Sequence, residues 1–154
     1  MKIIQNISVT EDVTMVTLET NPTDSAFTAS IFERIAAQSI NVDMIAQAAP
    51  LGGKSALSFT VSDEDLGGLL KLISEFREEN PGIKPVVSSS NVKISVYGEA
   101  MRIESGVAAK VFRAAAGVGA DIRLITTSEA DISLLITKAD YQQIVAAIEQ
   151  VFAF

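Results

Sequence analysis

Residues 27–47, FTASIFERIAAQSINVDMIAQ, and residues 107–127, VAAKVFRAAAGVGADIRLITT, align without a gap at an offset of 80 residues (27 onto 107). This internal repeat constrains the fold more than any other feature, because a duplicated segment must close a similar core twice. Within it Ala29 meets Ala109, Ile31 meets Val111, Phe32 meets Phe112, Val42 meets Ile122, Met44 meets Leu124 and Ile45 meets Ile125. Further on the offset becomes 75 residues (58 onto 133). Ser58 then meets Ser133, Val61 meets Ile136, Asp65 meets Asp140, Leu69 and Leu70 meet Ile144 and Val145, and Ile73 meets Ile148. The change of offset falls at Pro50-Leu51-Gly52-Gly53, where Gly and Pro mark a loop. An insertion confined to a turn is what a duplication tolerates.

Inside each repeat the hydrophobic period alternates between strand and helix. Residues 13–20 are β-branched with a period of two and read as a strand. Residues 24–39 place Phe27, Ile31 and Ile35 at helical spacing. Strands are expected at 41–47 and 56–61, joined by the Gly-Gly turn. Ser62 or Asp63 can cap a helix to about residue 79, which Asn80-Pro81-Gly82 stops. A strand at 83–88 completes a βαββαβ, ferredoxin-like unit. The second repeat reads as strand 92–98, helix 106–118, strands 121–127 and 132–137, and a helix 138–152 that leaves no residues for a fourth strand. Residues 2–8 read as a strand without a partner in the first unit. The expected fold class is therefore α+β with two ferredoxin-like units, the first (10–89) inserted in the second (1–9 plus 90–154), whose sheet the N-terminal strand completes. The alternative is a frayed N-terminus and an open second sheet, which would leave an exposed edge.

Composition narrows the function. The 154 residues include no His, Cys or Trp. That removes the usual proton shuttle at neutral pH, the thiolate nucleophile and the commonest metal ligands. Catalysis by Asp, Glu, Lys, Ser or Tyr stays open in principle, but no constellation of them stands out. We assign no catalytic residue, cofactor or metal. Twelve basic and nineteen acidic residues give a net charge of −7, which disfavours nonspecific attraction to nucleic acid or anionic membrane. No stretch of about 18 residues is apolar throughout, and MKIIQN turns polar too early for a secretory signal. A cytoplasmic location is the default expectation.

Certain motifs carry a resemblance. GEAMR at 98–102, SGVAAKVF at 105–112 and ITTSEADIS at 125–133 together resemble the second ACT domain of aspartokinases. INVDMI at 40–45 followed by SFTV at 58–61 resembles their first ACT domain, and ISVTED at 7–12 resembles the lead-in to that regulatory region. The resemblance covers essentially the whole chain. It implies a tandem ACT regulatory region without its kinase domain, as a free-standing small regulatory chain or an excised piece. It also implies a homodimer that binds an amino acid of the lysine or threonine class where domains of two chains meet, with an aspartokinase catalytic chain as a further partner.

The strand-to-helix turn before the first helix of each unit is where such a ligand is expected. A helix N-terminus presents unpaired N–H groups and partial positive charge. At the second turn the amides around Gly106 and Val107 are candidates for a carboxylate, with Met101 and Ser105 beside them. Glu104, Asp121 and carbonyls near Ile122 are candidates for the ammonium. Asn41, Val42, Gln47 and Ser128 complete the candidate set; Asn41, Gln47 and Ser128 offer side-chain hydrogen bonds. The bland alternative is that Ser105 and Asp24 are caps, Gly106 serves packing, and Asn41 and Asp121 start strands. At the first turn, Thr23-Asp24-Ser25-Ala26 departs from the Asp-x-Pro-Gly pattern implied by the resemblance. Alanine for glycine narrows backbone access around Ser25 and Ala26 and disfavours positive φ. Glu104-Ser105 replaces the commoner polar-Pro pair, and Asp121 stands where Asn is frequent. At most one conventional site per half of a chain pair is expected.

Overall fold

The computed structural model describes residues 2–21 and 24–154; Thr23 of the first-turn motif lies outside them. The elements are β1 (Asn6–Thr20), α1 (Ser25–Ala37), β2 (Ile45–Gln47), β3 (Ser55–Ser62), α2 (Leu66–Glu79), β4 (Lys84–Tyr97), α3 (Val107–Gly117), β5 (Ile122–Thr127), β6 (Asp131–Thr137) and α4 (Tyr141–Phe152). Short 3-10 turns precede α2, α3 and α4. Strand neighbours follow the order β2-β3-β1-β4-β6-β5. The chain divides into an inserted unit, Asp12–Ser89, and a host unit, Met1–Glu11 with Ser90–Phe154.

In the inserted unit β1 pairs antiparallel with β3 from Val13↔Ser62 to Thr20↔Ser55, and β2 pairs with β3. Leu51 and Lys54 exchange backbone hydrogen bonds of 2.9 and 3.1 Å around Gly52 and Gly53. Both glycines have positive φ, +61° and +73°, the demand of a two-residue hairpin turn. One edge differs from expectation. Only Ile45–Gln47 is strand, where 41–47 was expected. Asp43 N–H donates to Thr60 O and Thr60 N–H to Met44 O, each at 3.0 Å, so two residues face one and the ladder is irregular there, with Met44 N–H donating to the buried hydroxyl of Thr60 at 2.9 Å. The core holds Ile31, Ile35, Phe59, Val61, Leu69 and Ile73, with the Phe32 and Phe59 rings edge to face at 5.6 Å.

In the host unit β6 pairs antiparallel with β4 on one side and β5 on the other. The N-terminal segment closes the sheet. Ile4 is buried in this core, and Gln5 N–H donates to Tyr97 O at 2.8 Å. The core holds Val111, Leu134, Ile136, Ile144 and Ile148. These are repeat mates of Ile31, Phe59, Val61, Leu69 and Ile73, so the duplication is a duplication of packing.

The structure joins what the sequence pattern kept apart. The sequence pattern predicts separate strands at 2–8 and 13–20 and at 83–88 and 92–98; β1 and β4 are each continuous. Asp12 (φ +56°) and Ser90 (φ +58°) adopt left-handed backbone within these strands, at the boundaries of the two units. Helix ends fall near expectation. Ser62 caps a 3-10 turn over Asp63–Asp65 before α2 begins, and Asn80 ends α2.

Candidate functional site

The two strand-to-helix turns are equivalent by the offset of 80: Asp24, Ser25 and Ala26 correspond to Glu104, Ser105 and Gly106. Their backbones differ. Asp24 is the N-cap of α1, and its carboxylate accepts from Phe27 N–H at 3.0 Å. Ser25 and Ala26 are exposed first-turn residues of α1, so this turn carries its own anion on its N–H groups.

At the host-unit turn Gly106 is the N-cap of α3, in the left-handed region at φ +84°. No side chain caps α3, which begins at Val107, the counterpart of Phe27. A Cβ on Gly106 would meet nothing within 4 Å. Backbone conformation rather than crowding therefore favours glycine there. The result is a shorter helix with an uncapped, open N-terminus.

Around this turn lies a cleft of about 240 Å³ lined by Met101, Glu104, Gly106, Val107 and Ser128 from the sequence-derived set, together with Thr127, Glu129 and Ile132. The β5–β6 turn supplies one wall. It is shaped by Ser128 N–H donating to Asp131 O at 2.9 Å and by Ala130 N–H donating to Ser128 Oγ at 3.3 Å. The 3-10 turn Glu99–Arg102 supplies another. It is held by Gly98 N–H donating to Ala130 O at 2.9 Å and by Glu99 N–H donating to Gln5 Oε1 at 2.9 Å. Amides, carboxylates, hydroxyls and apolar surface thus converge in one depression, the mix a small zwitterion needs.

A charged cluster borders the cleft. Arg102 Nε donates to Glu99 at 2.8 Å, a second Arg102 nitrogen donates to Glu129, and Tyr97 Oη donates to Glu99. The Glu99 carboxyl is held below its ordinary value, first by the Tyr97 hydroxyl and then by Arg102. The Tyr97 phenol is raised mainly by its bond to Glu99. The Arg102 guanidinium is raised for the same reason.

The remaining candidates are not gathered here. Ser105 sits in the turn without lining the cleft. Asp121 is paired with Arg123 at 3.0 Å. Ile122 lies opposite Ile136, whereas the cleft is bounded by Ile132 at the other end of β6, about 13 Å away at strand rise. Asn41 and Gln47 are exposed and Val42 half-buried in the inserted unit, as are Ser25 and Ala26 at its own turn. Sequence reasoning passed over Thr127, Glu129 and Ile132 as cleft residues, although the 125–133 motif contains all three.

Comparison with known proteins identifies the family and the fold. A family described as "ACT domain" matches residues 94–152. An aspartokinase of Geobacillus stearothermophilus is 32% identical over 148 residues, covering 96% of this chain and 35% of that protein. The chain thus spans about a third of the length of the curated relatives it matches. The ligand-free regulatory subunit of aspartate kinase from Thermus thermophilus superposes with a TM-score of 0.88 at 28% identity, covering 98% of this chain and 99% of that one. An aspartate kinase from Synechocystis gives 0.91 at 27% identity, covering 99% of this chain and 27% of that one.

Proposed function

The chain is related along nearly its whole length to the regulatory part of aspartokinases, a pair of ACT domains, and from that premise we propose that it is an amino-acid sensor whose ligand sits in the host-unit cleft. The observation that carries this reading is the uncapped α3 N-terminus behind a left-handed Gly106, opening into a cleft that also holds Glu104 and Ser128. The ligand's α-carboxylate takes the free amides at the start of α3, where backbone donors and the helix dipole favour an anion. Its α-ammonium takes Glu104. Its side chain meets the Thr127 and Ser128 hydroxyls and the apolar surface of Met101 and Ile132. The ligand class is lysine or threonine, and no chemical step is performed on it.

Sensing requires that the ligand bind two arrangements of the protein unequally. In this reading the arrangements belong to a homodimer, in which Asn41, Val42, Gln47, Asp121 and Ile122 approach the ligand from a second copy, and an aspartokinase catalytic chain reads the change. Among the described residues no helix is long and apolar enough to cross a membrane. Calorimetric titration of the protein with a panel of amino acids tests the reading. One saturable site per chain is expected, and no heat with any amino acid would overturn it. A second reading, a scaffold without a ligand, is favoured at the first turn by the Asp24 carboxylate on Phe27 N–H; two sites per chain would refute it there.

A further inference from the structure

The side chains lining the cleft include two carboxylates, Glu104 and Glu129. Their surroundings differ. Glu129 accepts from Arg102, whose guanidinium also serves Glu99, and Glu99 takes a further hydrogen bond from Tyr97. Glu104 makes no ion pair among the described residues. Arg102 does not line the cleft, yet it governs the charge of a residue that does.

We propose that Arg102 is a specificity-determining residue: by holding Glu129 in an ion pair it leaves Glu104 as the one cleft carboxylate without a cationic partner, so the cleft offers a free carboxylate to a ligand's α-ammonium but none to a second cation on its side chain. The inference rests on the reading of this cleft as an amino-acid site. A carboxylate already held by a guanidinium gains less from a further cation than a free one does, because the new contact must displace or compete with the old one. Removing the guanidinium exposes Glu129 and turns a site for one positive group into a site for two. The discrimination acts against the wrong ligand rather than for the right one.

The experiment measures the affinities of L-lysine and L-threonine, by calorimetry, for the wild-type chain, Arg102→Gln, Arg102→Lys and the double variant Arg102→Gln/Glu129→Gln. The lysine-to-threonine affinity ratio is expected to rise about threefold or more in Arg102→Gln, the scale of one exposed charge contact. It is expected to return close to the wild-type value in the double variant and to stay there in Arg102→Lys. The gain should shrink as salt is added. A merely structural role for Arg102 would weaken both ligands alike and leave the ratio unmoved. Both amino acids binding with an unchanged ratio in Arg102→Gln would overturn this inference alone. Neither amino acid binding the wild-type chain would remove the amino-acid reading and this inference with it.

Discussion

The two halves of the duplication share a core and differ at their turns. Val61 and Ile136, Leu69 and Ile144, Ile73 and Ile148 are buried repeat mates, so packing tolerates little divergence. At the turn, where side chains face water, the same alignment puts alanine against glycine and opposite outcomes follow. Ala26 is helical, and Asp24 caps the helix from its own chain. Gly106 is left-handed, and the α3 N-terminus stays open. Alanine against glycine, with Asp24 against Glu104, thus separates a helix end capped by its own side chain from one without a side-chain cap. The units also close differently. In the inserted unit β4 follows α2 directly, whereas the host unit takes its last strand from the N-terminus.

Substitutions can break this comparison at its strongest point first. Phe59→Ala and Leu134→Ala remove equivalent buried side chains from the two cores, and each is expected to cost about 3–5 kcal/mol. Hydrogen exchange during denaturation should place each loss chiefly in its own unit; equal deprotection of both would show that the units do not act separately. Gly98→Ala tests the borrowed strand. Its φ is extended, but a Cβ there would lie 1.9 Å from Ile3 O, so the N-terminal segment must move. A loss of about 1–3 kcal/mol is expected, with exchange protection lost first around Ile4 and Gln5.

Smaller effects sharpen the contrast between the turns. Gly106→Ala forces a side chain into left-handed backbone at a cost of about 1 kcal/mol. It should reduce amino-acid affinity about tenfold or more by pulling the turn toward the Ala26 geometry. Asp24→Ala removes a cap worth about 1 kcal/mol and leaves binding in the host-unit cleft unchanged. If Asp24→Ala alone weakens binding, the ligand lies at the other turn.

Smallest is Arg34→Ala, which removes the bridge from α1 to Glu75 and Glu79 on α2 at 3.0 and 2.8 Å. These side chains are partly exposed, so the melting temperature should fall slightly, and less at high salt. Glu99 supplies a pH counterpart. Its lowered carboxyl value means its stabilising contacts are complete above the ordinary carboxylate range and are lost as pH falls through the lowered value. Replacing it by Gln should flatten that acid limb in a melting-temperature profile.

Much was legible before any coordinates, for a physical reason. Periods of two and 3.6 residues are local consequences of which side chains face a core, and the repeat doubles each signal. The offset therefore located the two repeated α/β segments, the loop at Pro50–Gly53 and the equivalence of the two turns, while Asn80-Pro81-Gly82 marked the end of α2. The site was legible in part. Met101, Glu104, Gly106, Val107 and Ser128 converge, because they flank the strand and helix ends that the motif predicts will meet. Asp121 and Ile122 do not join them, because neighbours along a motif can sit at opposite ends of a strand.

The sequence by itself determined the duplication, the mated cores and the absence of histidine and cysteine chemistry, since each depends only on residue type and spacing. Tertiary structure alone decided two things. It ran β1 and β4 unbroken past Asp12 and Ser90, and it shortened β2 by setting both Asp43 and Met44 against Thr60. These depend on where backbone hydrogen bonds find distant partners, and a local pattern carries no record of a partner tens of residues away.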